Sequence, residues 1–101
     1  MLATDQFDAL GDPTRREVMA ILLEQPRSVG EIAARLPVSR PAVSQHLKVL
    51  ERSGLVTHRA EGTRRIYSTS STGLGELRRA IEKMWDETLA RFAAAAEEEN
   101  S

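Results

Sequence analysis

The sequence predicts a mainly α fold that carries one β-hairpin, and three observations support this prediction. Apolar residues recur at intervals of three and four over most of the chain, which is the period of a helix buried on one side. Capping residues, glycines and prolines divide these stretches into separate helices. Around Glu61-Gly62-Thr63 the pattern changes to β-branched and polar residues, which is typical of two strands joined by a tight turn.

Length and composition limit the class of protein. The chain has 101 residues, so we expect one domain over residues 1–101. It contains no cysteine, which excludes a disulfide framework and the commonest zinc and redox motifs. The N-terminus does not resemble a secretory signal, and no apolar stretch approaches the ~20 residues of a membrane span. We therefore expect a cytoplasmic protein without membrane contact.

Two helices are predicted before the break at Gln25-Pro26. A short helix covers Asp5–Leu10 and ends at Gly11. Asp12 then provides an N-cap, and Pro13 occupies the first helical position, where its missing N–H has no intrahelical partner to lose. This second helix ends before Gln25-Pro26, because a residue that precedes proline disfavours helical geometry.

Two further short helices follow, each with a serine cap. Residues 28–31 form a capping box, and Pro37 closes the third helix. Ser39 caps the fourth helix, which runs to about Arg52 and ends with Gly54 just beyond its last turn.

The second half of the chain contains the hairpin and one long helix. Leu55–Ala60 and Arg64–Thr69 are rich in Val, Thr, Ile, Tyr and Ser, and we predict strands there. A single helix with an apolar stripe is predicted from Thr72 to about Glu98. The predicted order of elements is α-α-α-α-β-β-α.

The fourth predicted helix has an apolar side and a polar side. With about 100° of rotation per residue, Val43, Leu47 and Leu50 lie within about 60° of one another, so we expect them to pack against the third helix. The opposite side presents an amide, a hydroxyl and cations, which are the groups that read base edges and hold phosphates. The predicted DNA contacts from this helix are Ser39, Arg40, Ser44, Gln45, His46 and Lys48.

These side chains suit different targets on DNA. Gln45 can form two hydrogen bonds with adenine, and Ser44 can pair with several base edges. Arg40 and Lys48 can reach either a guanine or a phosphate. His46 lies roughly 60° from the apolar side, so its role stays open between a DNA contact and a position at the edge of the core.

Basic residues concentrate in the middle of the chain, although the net charge is −1. From Arg27 to Tyr67 there are eight Lys and Arg against three Glu, whereas the remainder has six basic and twelve acidic residues. This asymmetry indicates a polyanionic partner for the middle segment. Near the hairpin tip, the predicted contacts with the DNA backbone or minor groove are Arg59, Thr63, Arg64 and Arg65.

Two short helices followed by a hairpin form the layout of a winged helix-turn-helix, in which the second helix enters the major groove. The segments LGDPTRREVMAILL, SVGEIAARLPVSRPAVSQHLKVLERSGLV and EGTRRIYS resemble the ArsR/SmtB family of bacterial winged-helix transcriptional regulators. The resemblance covers residues 7–70 closely and implies a homodimeric repressor that binds double-stranded DNA. Two recognition helices about 34 Å apart would read an inverted-repeat operator.

The long C-terminal helix is similar to the family's dimerisation helix. At about 1.5 Å per residue it would be ~40 Å long, and its far end would expose apolar area unless it met another chain. Twofold dimerisation through the terminal helices would cover this area, although Leu74, Leu77 and Ile81 could instead cover the domain's own core. The predicted dimer residues are Phe7, Leu77, Ile81, Met84, Trp85, Leu89 and Phe92.

The sequence departs from the metal-sensing members of that family. Their thiolate site uses two cysteines one residue apart near the start of the third helix, and those positions are Ser28 and Gly30 here. Their other site uses Asp and His ligands on the C-terminal helices, but no histidine follows His58. His46 and His58 alone cannot form a tetrahedral zinc site. We expect no metal and no cofactor, and the existence of a small-molecule or protein effector stays open.

Three other functions remain as alternatives. A metal-responsive repressor would change its DNA affinity with zinc, cadmium or arsenite. A winged helix used only for protein contacts would bind no duplex better than random DNA. An enzyme would need acid–base groups in a cleft, and we expect none, because the candidate groups lie on an exposed helix side. Repression and activation are not distinguished by the sequence.

Overall fold

The computed structural model describes residues 3–99, which contain five α-helices and three β-strands. The elements are α1 (Ala3–Ala9), α2 (Pro13–Glu24), β1 (Arg27–Ser28), α3 (Val29–Ala33), α4 (Arg40–Arg52), β2 (Val56–Glu61), β3 (Arg64–Thr69) and α5 (Ser71–Glu99). This order confirms the predicted fold class and adds one strand, β1, that the sequence did not predict.

The helix starts follow from their capping residues. The Asp12 carboxylate accepts a hydrogen bond from the backbone N–H of Arg15 at 3.0 Å, with proline at the start of α2. The Ser28 hydroxyl accepts from the backbone N–H of Glu31, and the Glu31 carboxylate accepts from the backbone N–H of Ser28, both at 3.2 Å. The Ser39 hydroxyl accepts from a backbone N–H in the first turn of α4 at 3.3 Å. Each cap satisfies a donor that the helix itself leaves free.

Strand β1 exists because of tertiary pairing. Arg27 lies opposite Tyr67 and Ser28 opposite Ile66, so β1 pairs with β3 and the antiparallel sheet has the order β1-β3-β2. A strand of two residues is too short to show a period of alternation. Helix α3 also differs from the prediction, because it ends at Ala33 rather than continuing to Pro37.

The hairpin forms where the sequence predicts it, but its first strand is Val56–Glu61 rather than Leu55–Ala60, so its turn has two residues rather than three. Pairing runs from Val56 opposite Thr69 to Glu61 opposite Arg64, and the turn holds the two residues between the strands. Gly62 in this turn has a φ of 63°. Glycine adopts this left-handed region without the penalty of a Cβ atom, which lets the strands reverse within two residues.

The core lies where α2, α3, α4 and the sheet meet. Val43, Leu47 and Leu50 are fully buried, which confirms the predicted inward side of α4. The first turns of α5 join this core through Leu77, which is 8% exposed. The fully buried apolar side chains are completed by Val18, Ile32 and Leu55.

A close backbone approach places the start of α5. A Cβ atom built on Gly73 would overlap the carbonyl oxygen of Gly54 and lie 2.7 Å from its carbonyl carbon. Gly54 itself ends α4 with a φ of 82°, as predicted for the residue beyond the last turn. Gln6 is fully buried and donates from Nε2 to the Gly73 carbonyl at 3.2 Å, which ties α1 to α5.

Beyond this contact, α5 extends away from the other elements of the fold. Every residue from Ile81 to Glu99 is exposed, and the molecule extends over 67 Å in its longest direction. Trp85 is 62% exposed and Phe92 is 69% exposed. Leu77, predicted as a dimer residue, is instead part of this chain's own core. None of the helices described over residues 3–99 is long and apolar enough to cross a membrane.

Candidate nucleic-acid interface

The outward side of α4 is the centre of the candidate interface. Val43, Leu47 and Leu50 point into the core, so the opposite side of α4 faces solvent. Ser44, Gln45 and Lys48 are exposed, as the two-sided pattern predicts.

A groove of about 860 Å³ lies between α3, α4 and the hairpin. It brings together side chains that are up to 39 positions apart in sequence, from Ser28 to Tyr67, and its cations come from both the helix and the hairpin. Opposite charges also reach it, because Glu31 and Glu51 line its wall. The predicted DNA contacts that line this groove are Arg40, Ser44, Lys48, Thr63, Arg64 and Arg65.

The other predicted contacts lie outside this groove. Gln45 is exposed on α4 beside it, and Ser39 is exposed with its hydroxyl committed to the α4 cap. Arg59 projects from β2 and pairs with Glu61 at 3.2 Å. His46 is half-buried.

The surroundings of His46 favour a position at the edge of the core. The pKa of Asp12 is lowered chiefly by the hydrogen bond from the Arg15 backbone N–H, and the charge of His46 contributes to that lowering. The half-buried position of His46 likewise places it at the margin of the exposed side of α4 rather than at its centre.

An ion pair connects the hairpin to α3. Nη1 of Arg64 lies 3.5 Å from Oε1 of Glu31, across 33 positions of sequence. The pKa of Glu31 is lowered chiefly by the hydrogen bond with the Ser28 side chain, so the carboxylate is ionised at neutral pH. The same carboxylate thus caps α3 and holds a hairpin arginine beside the groove.

A second connection joins the hairpin to the C-terminal half of α4. Nδ1 of His58 lies 2.5 Å from Oε2 of Glu51, and the His58 and Tyr67 rings are tilted with their centres 5.3 Å apart. Sequence reasoning considered His58 only as a metal ligand and missed this role. A two-residue turn at Gly62-Thr63 would have placed His58 opposite Tyr67, but no sequence signal pointed to Glu51.

The basic middle segment contributes less charge to the interface than the sequence suggested. Arg27, counted in that segment, is 8% exposed and pairs with Glu24 at 3.2 Å. Arg35 pairs with the same carboxylate at 3.0 Å. Both arginines therefore form ion pairs with Glu24 outside the groove. The cations at the groove come from α4 and β3.

Ser28, at a cysteine position of the metal-sensing members, and His58 both have other partners. Ser28 caps α3 through its hydroxyl, and His58 is paired with Glu51. Across residues 3–99, His and acidic side chains form no group of three or more that could hold a metal ion.

Comparison with known proteins is consistent with this geometry. The family model "Bacterial regulatory protein, arsR family" matches residues 12–58. The HTH-type transcriptional regulator Rv2034 of Mycobacterium tuberculosis is 47% identical over 93 residues, which cover 92% of this chain and 87% of that protein.

Solved structures show the same architecture. An ArsR-like transcriptional regulator from Rhodococcus sp. RHA1 superposes with a TM-score of 0.81 at 34% identity, covering 92% of this chain and 88% of that one. A homodimeric winged helix-turn-helix DNA-binding domain from Mycobacterium bovis superposes with a TM-score of 0.68 at 27% identity, covering 87% and 82% of the two chains. The chain therefore belongs to the arsR family of bacterial regulatory proteins and is a transcriptional regulator rather than an enzyme.

Proposed function

We propose that the chain acts as one homodimeric DNA-binding domain that represses transcription by binding an inverted repeat in double-stranded DNA. The observation that carries the proposal is the groove in which cations of α4 and of the hairpin face the same space, beside the exposed polar side of α4. A duplex with α4 in its major groove would bring its backbone past the hairpin.

In this arrangement α4 is the recognition helix. Gln45 and Ser44 are exposed and have the groups that pair with base edges, so we assign sequence reading to them. Lys48 and Arg40 line the groove and would hold phosphate or guanine.

The hairpin is the wing and would hold the flanking backbone. Arg65 and Thr63 line the groove, and Arg64 would exchange the Glu31 carboxylate for phosphate. Because each neutralised phosphate releases counterions, affinity should fall steeply with salt, with a slope of about −0.9 per phosphate on a double-logarithmic plot.

The dimer would form through the terminal helices. A stripe of large apolar side chains is exposed on α5, and the homodimer from Mycobacterium bovis supports twofold pairing for this chain. We keep Phe7, Ile81, Met84, Trp85, Leu89 and Phe92 as interface residues and omit Leu77, because it is already buried.

Selection of duplexes from a random pool, at one stated salt concentration, tests the proposal. We expect an enriched inverted repeat that binds at least about 10³-fold more tightly than random DNA. Gln45→Ala should relax base preference at one position of each half-site by about 1–3 kcal/mol. Because the dimer has two copies of Arg65, Arg65→Ala should weaken all duplexes alike and reduce the salt slope by about 1.8.

Arg35→Ala is the matched control, because Arg35 is an arginine paired with Glu24 away from the groove. Its affinity and salt slope should match those of the unmodified protein. If no duplex is enriched while a protein partner binds both Gln45→Ala and Arg65→Ala normally, the chain is a protein-contact module instead.

We propose further that an effector, whether a small molecule or a protein, acts through the spacing of the two α4 helices. That spacing must match about one turn of DNA, so a small change suffices to release it. Zinc, cadmium and arsenite should leave operator affinity unchanged. A metal-dependent loss of affinity would instead support the metal-responsive alternative.

A further inference from the structure

Gly30 in α3 and Arg40 at the start of α4 make a contact that the proposed function does not use. A Cβ atom built on Gly30 would overlap Nη2 of Arg40 and would lie 3.0 Å from Cζ and 3.5 Å from Nε. The three nearest atoms all belong to the guanidinium group, so that group lies directly over the Gly30 backbone.

The contact leaves the guanidinium free to bind another group. Within residues 3–99, the Arg40 guanidinium makes no hydrogen bond and no ion pair. Arg59 and Arg64 differ, because their guanidinium groups hold Glu61 and Glu31. Arg40 therefore has all five of its N–H donors available at the wall of the groove.

Gly30 is explained by the space that the Arg40 guanidinium occupies rather than by the backbone conformation of Gly30 itself. Gly30 lies inside α3 and does not have a positive φ, so alanine can adopt the same conformation. Alanine is also the better helix former. A glycine here forgoes that helix stability while leaving room for the arginine.

We propose that Gly30 is a positioning residue, which seats the Arg40 guanidinium at the groove before DNA arrives. An arginine side chain has many rotamers, and immobilising one on binding lowers affinity. A side chain already held over Gly30 would avoid most of this loss. The inference rests on the proposed function, because the group that Arg40 would meet is a phosphate or guanine of the duplex.

The test is a double-mutant cycle on the selected duplex with Gly30→Ala, Arg40→Ala and both together. Immobilising one side chain corresponds to about 0.5–1.5 kcal/mol, and the proposed dimer has two copies of Arg40, so Gly30→Ala should weaken binding about 5- to 150-fold. Its melting temperature should stay unchanged or rise, because alanine favours the helix. In the Arg40→Ala background, Gly30→Ala should have no further effect on affinity.

Gly75→Ala is the matched control. Gly75 is a helical glycine whose added Cβ would meet only Nη1 of Arg79, at an ordinary 3.5 Å. This variant should bind DNA as the unmodified protein does.

Nuclear magnetic resonance gives a readout that does not depend on DNA. The Arg40 Nε–H group should be more ordered in the unmodified protein than in Gly30→Ala. The inference would be overturned if the Arg40 Nε–H group were equally ordered in both proteins, or if Gly30→Ala weakened DNA binding equally with and without Arg40. Either result would leave the proposed function intact. If the unmodified protein binds no duplex, the proposed function fails, and the positioning role fails with it.

Discussion

The chain contains two regions that have the same apolar spacing, but one region buries its apolar side chains and the other exposes them. Within residues 5–80, most apolar side chains at intervals of three and four pack into one core, and α4 buries Val43, Leu47 and Leu50 completely. From Ile81 to Glu99 the same spacing continues, yet every residue is exposed.

The difference shows that amphipathic spacing predicts a buried side but does not say which chain buries it. At about 1.5 Å per residue, the 29 residues of α5 extend ~43 Å. The body formed by α1–α4 and the sheet reaches only the first turns of α5, where Gly73 meets Gly54. The remaining stripe is the surface that the proposed dimer would cover.

The largest effect should come from breaking the buried region. Leu47→Ala removes a fully buried side chain and leaves a cavity, so the free energy of unfolding should fall by about 2–5 kcal/mol in urea titrations. Leu89→Ala is the matched change in the exposed region. At a concentration where the protein is monomeric, this variant should lower the free energy of unfolding by no more than about 0.5 kcal/mol. Equal losses in both variants would show that the end of α5 packs on its own chain.

An intermediate effect is expected from breaking the exposed region. Trp85 is the largest apolar side chain on the uncovered stripe, and buried aromatic anchors often contribute about 2 kcal/mol or more to an interface. Trp85→Ala should raise the dimer dissociation constant by roughly 30-fold, as measured by sedimentation.

Glu87→Ala, an exposed change on the same helix, should leave that constant within about twofold. An unchanged dimer in Trp85→Ala would place the interface elsewhere.

The smallest effect concerns pH and belongs to the helix caps of the buried region. The pKa of Asp12 is lowered below 3.8 by the hydrogen bond from the Arg15 backbone N–H, and that of Glu31 below 4.5 by its hydrogen bonds with Ser28. A lowered pKa in the folded state means that each cap stabilises the fold above the unfolded pKa and loses this effect as pH falls through the folded value. The melting temperature should therefore decline below about pH 4.

Glu31→Gln tests the pH prediction, because its amide keeps an acceptor for the Ser28 N–H without titrating. Its melting temperature should change less between pH 5 and pH 3 than that of the unmodified protein. An identical pH profile in the two proteins would remove Glu31 as a source of the decline. Alanine at the same position would lose the cap at every pH and so would not isolate the titration.

Much of the fold was predictable because it rests on short-range signals. The caps at Asp12, Ser28 and Ser39, and the turn at Gly62, involve residues no more than a few positions apart. The inward side of α4 was also predictable, since helical period alone places Leu47 beside Val43.

The sequence predicted which residues belong to the candidate site but not which groups they contact. The polar side of α4 and the basic wing were identifiable, but the partners of individual side chains were not. Arg27 was counted in the basic middle segment and is buried, and Leu77 was predicted as a dimer residue and lies in the core. Each of these outcomes depends on residues more than 12 positions away.

The sequence by itself determined the helices, the hairpin, the two-sided recognition helix and the family, because these follow from periodicity, capping and motif order. Only the tertiary structure decided that β1 joins the sheet, that Arg64 meets Glu31 and that the Arg40 guanidinium lies over Gly30. The physical reason is the range of the interaction. Local hydrogen bonds and helical period act between neighbours in sequence, whereas strand pairing, ion pairing and close packing act between neighbours in space.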